Sequence, residues 1–179
     1  AATWNPHNTT QNTSLAYLVA GLGGLAAPLF VTIFGWGLIK SKSNIKSNFI
    51  KATILLLLQL VVNLLSPHLF DPLTPGILSL FALLILMKPL IVQIANNNVR
   101  VTLFLISIVL IYAFSNSIYY VQGGNDWGAR VTVGDSLTLI SHLFFTGTYP
   151  LFPWITFAVV GAFLGSSITE GGKTLPRNN

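Results

Sequence analysis

The sequence predicts an all-α fold, a polytopic transmembrane helix bundle of about five spans plus one short interfacial or re-entrant helix. Composition is the first observation behind it: 53% of the 179 residues are hydrophobic and 7% are charged, against about 25% charged in an average soluble domain. Length is the second, since the apolar runs approach the roughly 20 residues that a helix needs to cross a hydrocarbon core of about 30 Å. The third is charge. Seven of the nine basic residues, Lys40, Lys42, Lys46, Lys51, Arg100, Lys173 and Arg177, fall on one side once the runs are drawn as spans, and an excess of Lys and Arg marks the cytoplasmic side. The pattern predicts an outer N-terminus and a cytoplasmic C-terminus, in the plasma membrane. It divides the chain into an outer segment 1–13, a transmembrane domain 14–168 and an inner flexible tail 169–179.

The first span, Ser14 to Ile39, carries Gly21, Gly23, Gly24, Pro28, Gly35 and Gly37. Small residues let helices approach closely, so this helix is expected to be buried among its neighbours and kinked at Pro28. In the second, Ala52 to Phe70, Gln59 and Asn63 are four apart and share a face. That face is expected to point into the bundle, making interhelical hydrogen bonds or, in a sharper reading, lining a polar substrate path. Asp71-Pro-Leu-Thr-Pro75 then turns the chain, because its two prolines cannot sit inside a continuing helix. Gly76 to Ala95 is the third span. Its Lys88, followed by Pro89, either snorkels to the inner headgroups or lines a cavity that receives an anion. Asn96 to Arg100 forms a short inner loop, and Val101 to Tyr120 the fourth span.

The outer connection from Val121 to Asp135 is chemically mixed, with Asn125, Asp126, Trp127 and Arg130. Ser136 to Thr146 is apolar but too short to cross, which suits an interfacial or re-entrant helix. Gly147-Thr148-Tyr149-Pro150 breaks it, and Leu151 to Ile168 is the last span, opening on Pro153-Trp154 at the level of aromatic anchors. Two glycosylation acceptor triplets, Asn8-Thr9-Thr10 and Asn12-Thr13-Ser14, agree with an outer N-terminal segment. An outer N-terminus is more natural if a further helix lies upstream.

The formal net charge of +5 is spread over loop ends rather than gathered in a stripe, so no nucleic-acid partner is expected. With no cysteine there is no disulfide or thiolate metal site, and no His/Asp/Glu cluster has metal-ligand spacing. No metal is predicted. The ionisable residues left on the outer side are His7, His68, Asp126, Arg130, Asp135 and His142. His142 lies seven residues, about two helical turns, after Asp135, which could orient it as a general base in a water-filled cavity. The plainer reading is an interfacial histidine bonded to a backbone carbonyl.

Three segments carry a family resemblance. Ala26-Ala27-Pro28-Leu29-Phe30-Val31-Thr32-Ile33-Phe34-Gly35-Trp36-Gly37-Leu38 resembles a helix of membrane acyltransferases similar to heparan-α-glucosaminide N-acetyltransferase and its prokaryotic relatives. Leu73 to Leu83 looks like that family's next helix start, and Gly147 to Trp154 with Gly161 and Gly165 looks like its Pro- and Trp-containing span. The segments occur in the family's order over roughly residues 4 to 168, whereas the family's opening helix with its Asp-x-x-Arg-Gly signature is missing from the sequence.

The resemblance implies transfer of an acyl group from acyl-coenzyme A, on the cytoplasmic side, to a sugar hydroxyl or amine outside. It implies a catalytic histidine near the outer end of the first helices, for which His7 is the nearest substitute, beside the catalytic candidates His142 and Asp135 read above from the residues themselves. Asp126, Arg130, Tyr149 and Trp154 would bind the acceptor, and Lys88 the coenzyme phosphates, helped by the Lys40 to Lys51 loop. A second reading is a non-catalytic structural subunit of a larger membrane complex, which the missing first helix favours. Besides the lipid bilayer, partners would then be other membrane subunits or further copies of the chain. A transporter comes third, because broken helices suit it but no internal repeat is seen.

Overall fold

The computed structural model describes residues 14–115 and 126–167. The outer segment 1–13 with His7, the end of the predicted fourth span and the start of the following loop (116–125), and the tail 169–179 lie outside the described residues. What is described is helical: α1 (Ser14–Lys40), α2 (Ile45–Leu65), α3 (Ile77–Leu86), α4 (Lys88–Ala95), α5 (Asn98–Ser115), α6 (Trp127–Val131), α7 (Ser136–Ser141), a π-helical turn (His142–Thr146) and α8 (Leu151–Ser167).

Local chemistry sets the boundaries. Asn44 caps α2, its side-chain oxygen accepting from the Ser47 amide at 2.8 Å, so the helix starts seven residues before the apolar run. It ends at Leu65, before Ser66-Pro67, since a residue preceding proline is pushed out of helical geometry. The predicted third span is two helices rather than one, bent by 70° at Met87. Pro89 accounts for the break: it has no amide proton to donate, and its ring clashes with the carbonyl four residues earlier, that of Ile85. After Ala95, Asn97 caps α5 by accepting from the Arg100 amide at 3.1 Å. The chain likewise breaks between the π-helical turn and α8, at residues 147–150, with a 42° bend between the flanking helices.

The core joins α1, α3, α4 and α8, with Val31, Leu38, Leu80, Leu84, Ile91, Leu151, Ile155 and Val159 at its centre. α1 packs most extensively along α8, and α2 along α3. Glycine makes the first pairing possible. A Cβ on Gly35 would lie 2.1 Å from the Ala158 carbonyl oxygen, and one on Gly161 1.8 Å from that of Thr32, so backbone meets backbone. Yet α1 is not buried all round, as its glycine content suggested. Val31, Gly35 and Leu38 form its buried stripe, while Leu29, Phe30 and Ile33 are exposed and no neighbour lies within 4 Å of where Gly24 or Gly37 would carry a Cβ. The helix also continues through Pro28, whose carbonyl accepts from the Thr32 hydroxyl at 2.8 Å.

α2 is inside out. Its buried residues are Asn48, Ala52, Gln59 and Asn63, whereas Ile54, Leu57, Leu58, Val61, Leu64 and Leu65 are exposed. Water would not tolerate that arrangement, and a bilayer, which makes polar groups seek partners inside, requires it. Among the residues whose side chains are described, which in α1 begin at Gly24, α2 is the one helix long and apolar enough to cross a membrane alone. The bent pairs α3–α4 and α7/π-turn–α8 bring the total to as many as three if each is one broken span, while the apolar stretches Gly24–Lys40 and Asn98–Ile111 are shorter.

Candidate functional site

Polar side chains gather at the two ends of α2, which are about 30 Å apart for a helix of this length. At the C-terminal end the hub is the connection from Ser66 to Gly76. Asn63, 1% exposed, donates from Nδ2 to the carbonyls of Pro72 (3.0 Å) and Thr74 (2.8 Å). Gln59 orients that amide, donating from Nε2 to Asn63 Oδ1 at 2.9 Å, and accepts from the Leu78 amide at 3.3 Å. The amide pair therefore stitches α2 to α3, the interhelical role expected from their spacing.

The connection in turn fastens the segments around it. The Thr74 hydroxyl donates to the Val131 carbonyl, and Asp71 accepts from the Val133 amide at 2.9 Å. Thr148, in the break before α8, donates to the Pro75 carbonyl at 2.8 Å, and Phe70 lies 5.8 Å from the Trp127 ring.

His142 sits inside this assembly, 4% exposed. Its Nε2 is 3.1 Å from the Thr132 carbonyl and its Nδ1 2.7 Å from the Thr146 hydroxyl. A carbonyl only accepts, so Nε2 carries the proton and Nδ1 of the neutral ring holds a lone pair toward Thr146. Thr146 then donates to Nδ1, while Ser141 donates to Thr146 Oγ1 at 3.0 Å. The arrangement can take up a proton at Nδ1 through the Thr146 hydroxyl.

Other predicted residues of this end are placed around it without joining it. Asp135 is exposed and caps α7, accepting from the Thr138 amide at 2.6 Å. The hydroxyl of Thr138 and then its amide hold the carboxyl below the usual carboxylate range. The expected Asp135–His142 pair is therefore not made: their hydrogen bonds go to different partners. Asp126 stands exposed at the start of α6, and Arg130 lies half-buried in its last turn. Tyr149 and Trp154 do meet, ring centroids 5.3 Å apart and tilted by 55°.

Lys88 marks the opposite end. It is 9% exposed and does not snorkel. Its Nζ donates to the Ser41 carbonyl (2.6 Å) and the Ser43 hydroxyl (3.0 Å), in the connection between α1 and α2. Ser43 accepts from the Ser41 hydroxyl at 3.0 Å and donates to Asn48 Oδ1 at 2.6 Å. These groups border an open cleft of about 630 Å³ lined by Ser43, Asn44, Ile45, Lys46, Asn48, Lys88, Pro89 and Val92. Two of the three ammonium protons are engaged, which leaves one for a ligand. Sequence reasoning missed Ser41, Ser43 and Asn48 here, and Thr132 and Thr146 at the other end. Only the four-residue spacing of His142 and Thr146 offered a signal.

A bundle with an inside-out helix, lipid-facing apolar surfaces and buried amide and imidazole groups is a helical membrane protein. A family model described as heparan-alpha-glucosaminide N-acetyltransferase, catalytic, matches residues 5–178, and the chain belongs to this family. No curated protein and no solved structure matches it. Each of the three segments that carried the resemblance supplies a close contact of the fold: Gly35 of α1 against Ala158 of α8, Gly76 before α3 against Gln59, and Gly161 of α8 against Thr32.

Proposed function

We propose that this protein is a membrane acyltransferase, taking an acyl group from acyl-coenzyme A at the lysine-rich end and passing it to a hydroxyl or amine of an extracytoplasmic glycan at the His142 end. The family match over residues 5–178 is the observation that carries this reading. Five spans cross the plasma membrane, α1 and α5 supplying those beyond the three that length and composition allow. The N-terminus is outside and the C-terminus in the cytoplasm, in keeping with the distribution of Lys and Arg.

At the cytoplasmic end, the cleft beside Lys88 and Lys46 receives coenzyme phosphates. The free N–H of Lys88 and the α2 N-terminus favour an anion there. The coenzyme's pantetheine arm carries the thioester from the cleft toward the outer end. There the acceptor's oxygen or nitrogen bonds the acyl carbon and the carbon–sulfur bond breaks; His142 Nδ1 takes the acceptor's proton by way of Thr146 and returns it to the leaving thiolate. Tyr149 and Trp154 pack against the sugar, and Asp126 and Arg130 bond its hydroxyls. His7 is the alternative imidazole, and Asp135 acts on α7 rather than directly on the base.

A second reading, a structural subunit of a larger membrane complex, is favoured by one observation: both ring nitrogens of His142 are already satisfied within the chain. Kinetics with acetyl-coenzyme A and glucosamine separate the two. The acyltransferase reading expects Lys88→Ala to raise KM for the donor with kcat little changed, and His142→Ala to lower kcat by about 100-fold or more. Stoichiometric partner chains together with no turnover by the wild type refute it.

A further inference from the structure

We propose that Thr74 and Asp71, in the connection between α2 and α3, are positioning residues that set the tautomer of His142 through residues 131–133. The inference deepens the reading of His142 as the proton-transfer group and rests on it.

The Thr132 carbonyl, to which His142 Nε2 donates, belongs to a segment between α6 and α7 that lies outside any helix. The Thr132 amide keeps the last helical bond of α6, to the Gly128 carbonyl at 3.0 Å, but beyond it no helical ladder holds the peptide planes. They are held from elsewhere. On one side of Thr132 the Thr74 hydroxyl bonds the Val131 carbonyl, and on the other Asp71 Oδ2 accepts from the Val133 amide at 2.9 Å. Both fastenings come from residues 57 and 62 positions earlier in the chain, and both come from one loop. That loop is itself fixed, because Asn63 bonds the carbonyls of Pro72 and Thr74.

The consequence falls on the imidazole. Held beside a fixed carbonyl, the neutral ring keeps its proton on Nε2 and its lone pair on Nδ1, facing Thr146. If the 131–133 segment were released, the carbonyl could turn away and the two tautomers would compete. A ring of the other tautomer presents an N–H to the Thr146 hydroxyl and cannot take its proton. Hydrogen bonds serving stability alone would leave the tautomer of His142 indifferent to Asp71 and Thr74.

Nitrogen-15 NMR of the full chain, labelled at histidine and held in nanodiscs at mildly alkaline pH, reads the tautomer without any activity assay. The chain has three histidines, and His142→Gln identifies the signal. The wild type is expected to show His142 as the Nε2–H form. Thr74→Val and Asp71→Ala should give averaged shifts of mixed tautomers, while Thr74→Ser and Asp71→Asn, which keep a hydroxyl donor and an oxygen acceptor, restore the wild-type signature. Asp71→Ala removes one half-buried bond and decides the matter if Thr74→Val fails to fold. An Nδ1–H wild type, or an unchanged Nε2–H signal in folded Asp71→Ala, overturns the proposal. Absence of turnover in the wild type would instead refute the acyltransferase reading, whatever the tautomer. Where turnover exists, Asp71→Ala should lower kcat about tenfold or more with KM nearly constant.

Discussion

Asn63 is the residue on which the His142 end of the molecule depends most. Replacing it by Ala leaves the Pro72 and Thr74 carbonyls without their donor and the Gln59 amide without its acceptor. A buried polar group left unsatisfied costs about 1–3 kcal/mol. Asn63→Ala should therefore lower the thermal stability of the detergent-solubilised protein clearly, and more than Gln59→Ala does. Equal, small effects would show that the connection is held by other contacts. Asp135 makes a pH prediction. Its folded carboxyl is held below the usual range by Thr138, so its contribution to α7 is present above that range and is lost as pH falls through the depressed value. Protection of the Thr138 amide from hydrogen exchange should fall on acidification in the wild type and stay level in Asp135→Asn, since asparagine also caps well. The pairing of Gln59 with Asn63 was legible from spacing alone. Their targets were not, because backbone carbonyls of a distant loop leave no mark in a sequence.

Helix α1 shows how far an element can be read. Its glycines announced a close-packed helix, and Gly35 against Ala158 is that packing. Sequence could not tell Gly35 from Gly24 or Gly37, since glycines occur on every face and only the partner helix selects one. Gly35→Ala and Gly161→Ala should each destabilise the protein by about 1–3 kcal/mol or more, as overpacking does. Gly24→Ala and Gly37→Ala, with open space at the Cβ, should be neutral or gain up to about 1 kcal/mol from helix propensity. Thermal unfolding of the four variants checks this, and similar losses at all four would contradict the packing described. The break between α3 and α4 was within reach of the sequence. Pro89 carried the information, and the apolar run of Gly76 to Ala95 masked it.

For the whole molecule, composition and the basic asymmetry were enough to identify a helical membrane protein, and the family segments pointed to its class. The span count was harder to read because two candidate spans are bent pairs, and a hydropathy run does not record a bend. Lys88 was legible as a candidate anion contact, but its partners Ser41 and Ser43 were not, because the bend that turns α4 under the 41–44 connection leaves no mark in a hydropathy run. The orientation predicts distinct labelling in a chain that has no native cysteine. An impermeant thiol reagent added outside cells should spare Lys42→Cys and modify Asp126→Cys, and the reverse pattern would invert the topology.

The sidedness of acyl transfer tests the central claim most directly. Full-length protein is reconstituted in sealed vesicles whose orientation is fixed by Lys42→Cys labelling. Radiolabelled acetyl-coenzyme A is supplied on the lysine side and a glucosamine-ended oligosaccharide on the other. The account predicts labelled acceptor in the compartment opposite the donor, and its loss in His142→Ala. Label that never reaches that acceptor, or transfer at the wild-type rate by His142→Ala, would contradict it.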